Sequence, residues 1–368
     1  MPFTNVKKRF GFGCMRMPLC EDKRVDREKF TEMVDAFLAA GYNYFDTAHG
    51  YLGGESEPAL RDCLTSRYPR EAYVLTDKLS TYHFEREDEI RPLFFSQLAA
   101  TGVDYFDFYL MHAQDRSLYK KYRECRAYEI ALELQREGYF RHFGISYHDG
   151  PELLREILVA YPEIEVVQIQ LNYADYEDKA IRSREVYEVC CEFGKDVIVM
   201  EPVKGGSLVN LPEEALAVLT DLGGTPASYA LRFAADLPRV RMVLSGMGTM
   251  DMVRENTALF QDPAPLTAAE REALSRVVTI LRSRGTVACT ACRYCTDGCP
   301  QGIDIPTLFA CYNSKKIHGG WTPKYYYRIK TADSPTASQC IGCGACEDVC
   351  PQHLPIRELL GKVAELFE

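Results

Sequence analysis

Two cysteine strings near the end of the chain share one spacing, Cys-x-x-Cys-x-x-Cys-x-x-x-Cys-Pro, and so form an internal repeat. The first string consists of Cys289, Cys292, Cys295 and Cys299, and the second of Cys340, Cys343, Cys346 and Cys350. Thiolates at this spacing bind cubane iron–sulfur clusters, and the fourth cysteine of one string ligates the cluster built on the other. The repeat therefore predicts two [4Fe-4S] clusters, which carry single electrons.

Crossed ligation would divide the eight cysteines between the two clusters. One cluster would take Cys289, Cys292, Cys295 and Cys350, and the other Cys340, Cys343, Cys346 and Cys299. Zinc is the alternative metal for Cys-x-x-Cys pairs, but a structural zinc ion takes four ligands as two pairs separated by a longer loop. Four cysteines and a proline in each string favour iron–sulfur clusters.

Four residues that can hold or transfer protons end or follow strand-like segments in the first part of the chain. They are Asp46, Tyr51, Lys78 and His112. A buried lysine beside a tyrosine lowers the tyrosine pKa, and a carboxylate keeps the lysine charged. The tyrosine can then give a proton to a carbonyl oxygen that the histidine orients, while hydride reaches the carbon. Each residue alone has an ordinary explanation as a loop or salt-bridge residue, but four on three successive strand ends indicate a shared site.

Eight apolar, strand-like runs alternate with amphipathic, helix-like stretches up to about residue 260. The runs are 11–15, 42–48, 73–78, 106–112, 142–147, 166–172, 197–203 and 242–247. This alternation predicts a parallel sheet with crossover helices, and eight units match a closed (β/α)8 TIM barrel. An open doubly wound sheet is the alternative, but no Gly-x-Gly-x-x-Gly links a strand to a helix. Barrel active sites lie at the carboxyl ends of the strands, where the four side chains are expected to converge.

The length of 368 residues allows the barrel and a second, smaller domain. We predict the barrel over residues 1–262, a linker and helix over 263–284, and a small, mostly helical, two-cluster ferredoxin-like domain over 285–368. Thr267 and Glu270 have the spacing of a capping box at the start of the linking helix. Two more helices are predicted over 305–313 and 356–368, each after a cysteine string.

Composition and net charge indicate which kinds of molecule the protein is not expected to bind. Hydrophobic residues make up 46% of the chain and the net charge is −10, which disfavours nucleic acid and anionic membranes. The first ten residues lack a signal-peptide pattern, and no run of about 18 apolar residues could span a membrane. We therefore expect a cytoplasmic protein whose 15 cysteines stay reduced, as ligands or core residues.

The segment Asn43-Tyr44-Phe45-Asp46-Thr47-Ala48-His49-Gly50-Tyr51 resembles the signature of the aldo-keto reductases. That family uses an Asp–Tyr–Lys–His tetrad, which Asp46, Tyr51, Lys78 and His112 match residue by residue. The resemblance covers residues 10–256, and the whole chain is similar to the subgroup with a C-terminal ferredoxin-like domain. It implies an oxidoreductase that interconverts a small-molecule carbonyl and its alcohol.

The resemblance also implies an NAD(P) cofactor and the residues that bind it. Ser146 and Gln168 match the residues that contact the nicotinamide carboxamide, and the cofactor-phosphate and adenosine region corresponds to Ser245, Gly246, Met247, Gly248 and Asn256. Lys204, in a Lys-Gly-Gly turn, could meet a pyrophosphate, because glycine turns let backbone N–H groups approach anions.

Three features depart from the family pattern around this cofactor. Tyr147 stands where the family usually has asparagine, and Glu201 stands where many members have an aromatic residue. No lysine or arginine occurs from Ser245 to Val253, where many NADP-using members hold the 2′-phosphate. These departures leave flavin open as an alternative cofactor.

Three hypotheses account for the combination of a hydride-transfer site and clusters. In the first, the barrel is a reductase, and the two clusters relay electrons to a redox protein partner. In the second, the protein is an NAD(P)H-dependent reductase whose clusters are structural or sense oxygen. In the third, it is a non-enzymatic electron-transfer subunit with a relict barrel. The first needs a converter, because a nicotinamide carries a hydride and a cubane carries one electron.

Overall fold

Eight parallel strands close into a barrel in which consecutive strands are neighbours. The structure is a computed structural model and describes residues 2–178, 181–283 and 286–368. The strands are β1 (Phe10–Gly13), β2 (Tyr44–Asp46), β3 (Val74–Leu79), β4 (Phe106–Gln114), β5 (Phe140–Tyr147), β6 (Val166–Gln170), β7 (Asp196–Met200) and β8 (Val240–Gly246). Because β1 pairs with both β2 and β8, the sheet closes on itself, and the predicted (β/α)8 TIM barrel is confirmed.

Helices connect the strands and build the end of the chain. They are α1 (Arg27–Ala39), α2 (Ser56–Leu60), α3 (Ile90–Thr101), α4 (Arg116–Glu124), α5 (Ala127–Arg136), α6 (Pro151–Ala160), α7 (Ser183–Glu192), α8 (Glu213–Thr220), α9 (Pro226–Ala235), α10 (Met250–Leu259), α11 (Ala268–Ser283), α12 (Tyr294–Asp297), α13 (Ile305–His318), α14 (Thr322–Lys330), α15 (Ala345–Asp348) and α16 (Ile356–Phe367). The capping box is confirmed, because the Thr267 N–H donates to Glu270 Oε2 and the Glu270 N–H to Thr267 Oγ1. Residues 284 and 285, the predicted end of this helix, lie outside the described residues.

Apolar side chains from six strands fill the inside of the barrel. This buried cluster consists of Tyr44, Val74, Phe108, Leu110, Val166, Ile198, Met242 and Leu244. Gly144 leaves room for it, since a Cβ at that position would lie 2.5 Å from Val166 Cγ2 and 2.7 Å from Leu110 Cδ2. A slip of one residue would turn these side chains outward, so the packing fixes the strand register and the positions of the strand ends.

The chain divides into two compact units, each assembled from separate segments. The first contains the barrel and comprises the chain up to Asn172 together with Arg184–Pro202 and Ala230–Leu266. The second comprises Tyr173–Ser183, Val203–Tyr229 and Thr267–Glu368. The linear limits at residues 262 and 285 stay a prediction, because they follow the order of the chain rather than these assembled units.

The second unit has its own apolar core, formed largely by α13 and α16. Phe309 of α13 and Val363 of α16 are fully buried there, and Cys295 and Cys346 belong to the same core. The predicted helical character of this region is confirmed. Helix α13 runs past its predicted end at residue 313, because the first residue to break it is Gly319, with φ of +62°. Among the described residues, no helix combines the length and apolarity needed to cross a membrane.

Candidate active site and cluster cavities

Strand register brings the four predicted acid–base residues to one end of the barrel. Asp46 lies opposite Thr76 in the pairing of β2 with β3, and Lys78 follows two residues later on the same face. Lys78 in turn lies opposite Leu110 of β4, and His112 follows two residues later. Asp46, Lys78 and His112 therefore lie on three neighbouring strands, and each is two residues further along its strand than the partner of the one before. Tyr51 lies in the turn that follows β2.

Lys78 is the centre of this group, which we call the candidate tetrad. Its fully buried ammonium donates to Asp46 Oδ1 at 2.6 Å, to the Thr47 carbonyl at 2.6 Å and to the Tyr51 hydroxyl at 3.3 Å. The ring centroids of Tyr51 and His112 are 5.8 Å apart. The tetrad is thus assembled by one cation that touches both the carboxylate and the phenol.

Burial and charge act in opposite directions on the lysine and the tyrosine. Burial disfavours the charged form of Lys78, but Asp46 and Tyr51 outweigh it and hold the pKa of Lys78 above its ordinary value. Burial raises the pKa of Tyr51, and Lys78 opposes that shift without reversing it. The predicted direct effect of the lysine is present, but the expectation of a net lowered tyrosine pKa is wrong because burial has the larger effect.

The histidine is held in its neutral form. Burial and then Lys78 lower the pKa of His112 well below its ordinary value, and the same causes lower the pKa of the neighbouring His148 to about 4. The Ser80 hydroxyl forms a hydrogen bond with His112 Nδ1 and fixes the ring. A neutral, fixed imidazole can orient a carbonyl oxygen through a hydrogen bond.

The two residues predicted to bind a carboxamide lie beside the tetrad. Ser146 of β5 is opposite Gln168 of β6, and both side chains are buried. Gln168 Nε2 donates to Asp46 Oδ2 at 3.0 Å, so this strand is tied directly to the tetrad. A hydroxyl and an amide next to the proton-transfer group are suitable partners for a nicotinamide carboxamide.

The residues predicted for the cofactor phosphates divide into two places. Ser245 and Asn256 are joined by a hydrogen bond of 3.3 Å, from Asn256 Nδ2 to Ser245 Oγ. Gly246 is the last residue of β8, and Met247 and Gly248 follow it. Lys204 belongs to the second unit, where its buried ammonium forms an ion pair with buried Asp175. The charge of Lys204 is therefore already balanced within its own unit.

Sequence reasoning missed a buried carboxyl pair behind the tetrad. Asp77 Oδ1 accepts the Lys78 N–H at 2.7 Å, and the Glu57 carboxyl is close enough to act on the Asp77 carboxyl. Gln97 Nε2 donates to Glu57 Oε1 and to the Lys78 carbonyl, and His49 Nδ1 lies 2.9 Å from Glu57 Oε2. Burial and then Glu57 raise the pKa of Asp77 well above its ordinary value, so the Asp77 carboxyl binds a proton more readily than an exposed aspartate does.

The eight string cysteines divide between two small cavities in the second unit. Cys289, Cys292, Cys295 and Cys350 line the first cavity, and Cys299, Cys340, Cys343 and Cys346 line the second. Each set of four therefore combines three cysteines of one string with the last cysteine of the other. Among the described residues, no three His, Cys, Asp or Glu side chains are close enough to hold one metal ion. Four thiols spread around a cavity instead suit a cluster with several irons.

The two strings also share a backbone conformation. Ala291 and Arg293 of the first string have φ of +56° and +67°, and Gly342 and Gly344 stand at the same places of the second string with φ of +70° and +85°. This conformation turns backbone N–H groups towards the thiols: the Ala291 N–H donates to Cys289 Sγ at 3.4 Å. Such hydrogen bonds help set the potential of a cluster.

Comparison with known proteins identifies the families to which the barrel and the C-terminal cysteine region are similar. Residues 9–278 match the family model of the aldo/keto reductase family, and residues 288–354 match a 4Fe-4S dicluster domain. The chain therefore belongs to the aldo/keto reductase family and carries a C-terminal 4Fe-4S dicluster domain. It is an oxidoreductase, and the hypothesis of a non-enzymatic subunit is not supported.

Individual relatives resemble most of the chain at low identity. An uncharacterized oxidoreductase of Schizosaccharomyces pombe is 26% identical over 261 residues, which cover 68% of this chain and 81% of the relative. The NADH-specific methylglyoxal reductase of Escherichia coli is 26% identical over 298 residues, which cover 66% of this chain and 88% of the relative. The holo form of an aldo-keto reductase from Bacillus halodurans matches with a TM-score of 0.60 and 26% identity, covering 73% of this chain and 91% of that chain.

Proposed function

We propose that the protein interconverts a small carbonyl compound and its alcohol, with Tyr51 as the proton-transfer residue. The observation that carries this proposal is the buried Lys78 ammonium, which touches both Asp46 and the Tyr51 hydroxyl. A phenol in contact with a cation can release its proton because the phenolate that remains is stabilised.

The charges of the tetrad suit the direction of reduction. The raised pKa of Tyr51 keeps the phenol protonated at neutral pH, so it can act as a general acid. Tyr51 gives its proton to the carbonyl oxygen, Lys78 stabilises the phenolate, and Asp46 keeps Lys78 charged. His112, neutral and fixed by Ser80, donates a hydrogen bond to the same oxygen.

A nicotinamide dinucleotide, when bound, supplies the hydride that such a reduction needs. Ser146 and Gln168 would hold its carboxamide beside the tetrad, and the residues at the end of β8 and after it would bind its phosphates and adenosine. The name of the Escherichia coli relative supports a nicotinamide for this class of site. Flavin stays the alternative, which cofactor analysis of the anaerobically isolated protein tests.

We further propose that the two clusters exchange single electrons with a redox protein partner. This role needs a group that takes up the electron pair of a hydride and releases it one electron at a time, and a bound flavin is the class of cofactor that would do so. The crossed sets of four thiols support two [4Fe-4S] clusters, and the competing role is structural, since Cys295 and Cys346 belong to the core of the second unit. Anaerobic mixing of the holoprotein with NADH and a carbonyl compound separates the two roles. Electron paramagnetic resonance signals that change during turnover support the relay, and signals that stay constant while carbonyl is consumed support a structural role.

The carbonyl activity is tested with a panel of small aldehydes and ketones and both dinucleotides. The informative variant combines Lys78→Met with Asp46→Asn, because removing both charges avoids leaving one buried charge unpaired. We expect the folded double variant to lose carbonyl reduction by at least about a hundredfold. A folded double variant with wild-type turnover would show that the tetrad is not the active site.

A further inference from the structure

The loop after β1 lies directly against the loop after β8. In the pairing of these strands Phe12 is opposite Ser245 and Gly13 is opposite Gly246. The chain then continues to Arg16, whose aliphatic stem covers Gly246: a Cβ added to Gly246 would lie 3.1 Å from both Cβ and Cδ of Arg16. A side chain at this position would push the Arg16 stem outward by a few tenths of an ångström, so the absence of a Cβ at Gly246 lets the stem pack closely.

Arg16, Lys204 and Arg254 differ in whether their charge has an acidic partner. Lys204 is bonded to buried Asp175 in the second unit, and the exposed Arg254 lies 3.8 Å from Asp251. Arg16 is exposed, and within residues 2–178, 181–283 and 286–368 it forms no ion pair or hydrogen bond. It is therefore the one of the three that has no charged partner among the described residues.

The surroundings of Arg16 favour an anion. The Arg16 stem packs on Gly246 at the end of β8, and Gly248 in the following loop approaches the Arg16 carbonyl, with 3.4 Å from a Cβ built there to that oxygen. This loop leads into α10, which begins after Thr249, whose hydroxyl accepts the Met252 N–H. A planar guanidinium forms two parallel hydrogen bonds to phosphate oxygens, and an adjacent helix start adds positive potential.

We propose that Arg16 binds the pyrophosphate of the dinucleotide, an inference that rests on the proposed function. The pyrophosphate is common to NADH and NADPH, so Arg16 raises the affinity for both without discriminating between them. The residues from Ser245 to Val253 contain no lysine or arginine that would select the 2′-phosphate. Arg16 is thus a binding residue for the shared part of the cofactor.

Calorimetric titration of the anaerobically isolated holoprotein with NADH, NADPH and ADP-ribose tests the inference. We expect Arg16→Gln to weaken all three by a similar factor, roughly ten- to a hundredfold, the size of a lost charge-assisted hydrogen bond. Arg16→Lys should recover part of the affinity. The matched control is Arg254→Gln, which removes an exposed arginine after the same strand and should leave all three dissociation constants within about twofold.

The outcomes separate this inference from the proposed function. A wild-type protein that binds neither dinucleotide overturns both. Wild-type binding that Arg16→Gln leaves unchanged overturns only the role of Arg16. Weakening of NADPH alone also overturns it, because that result places the arginine at the 2′-phosphate.

Discussion

Cys350, the last cysteine of the second string, lines the same cavity as Cys289, the first cysteine of the first string. Because the first cavity is lined by cysteines from both strings, its four thiols come together only when both strings fold. Metal-site binding energy is also folding energy in small metal-binding domains. The two strings are therefore expected to gain or lose structure as one unit.

Cys350→Ala should disturb the cluster bound mainly by the first string. We expect iron content to fall and the reduced protein to lose the signal of one cluster, while the barrel, with its own core, stays folded. Iron analysis and electron paramagnetic resonance measure this, with Cys311→Ala as a control because Cys311 is buried but lines neither cavity. Loss confined to the cluster of Cys340, Cys343 and Cys346 would contradict crossed ligation.

Ala291→Gly should stabilise the second unit. Ala291 has φ of +56°, a left-handed conformation that costs a residue with a Cβ about 1–2 kcal/mol, whereas Gly342 occupies the matching place without this cost. Glycine also gives the unfolded chain more freedom, so the expected net gain is about 1 kcal/mol or less. The rate of cluster release in denaturant measures it. Gly342→Ala is the reciprocal variant and should release its cluster faster; faster release from Ala291→Gly would refute the argument.

Asp77→Asn should remove a pH-dependent loss of stability. Burial and Glu57 raise the pKa of Asp77, so the folded state binds this proton more tightly than the unfolded state. The stabilisation is complete below the unfolded pKa of about 4 and is lost as pH rises through the folded pKa. Asparagine keeps an oxygen for the Lys78 N–H and an amide for Glu57.

The measurement is the free energy of unfolding of the barrel from pH 4 to pH 8. We expect it to fall with pH less steeply in Asp77→Asn than in the wild type. The exposed Asp88→Asn, which removes one carboxylate from the surface, should leave the slope unchanged. An equal slope in wild type and Asp77→Asn would show that Asp77 gives up its proton in the folded state as readily as in the unfolded chain.

The barrel and the convergence of the tetrad were predictable because both follow from short-range rules. Strand runs, helix periodicity and the two-residue alternation of strands place Asp46, Lys78 and His112 on neighbouring strand ends. Repeat spacing similarly predicted which cysteines share a cavity.

Other features of the site depend on contacts between residues far apart in the chain, which a local sequence pattern does not predict. The effect of Glu57 on Asp77 couples residues from different elements, and the packing of Arg16 on Gly246 brings together the first and the last strand of the barrel. The net pKa of Tyr51 depends on how much water the folded barrel excludes, and proximity to Lys78 alone gives the wrong direction. These features became visible only with the strands closed into a barrel.

The central claim is that Tyr51 supplies the proton, and Tyr51→Phe tests it most directly because it removes only the hydroxyl that touches Lys78. Carbonyl reduction should fall by roughly two to four orders of magnitude, the scale of a lost general acid. Dinucleotide affinity should be retained, and Tyr68→Phe, which removes a half-buried hydroxyl bonded to Asp35 outside the tetrad, should behave as wild type. Turnover close to the wild-type rate in folded, dinucleotide-bound Tyr51→Phe would contradict the account.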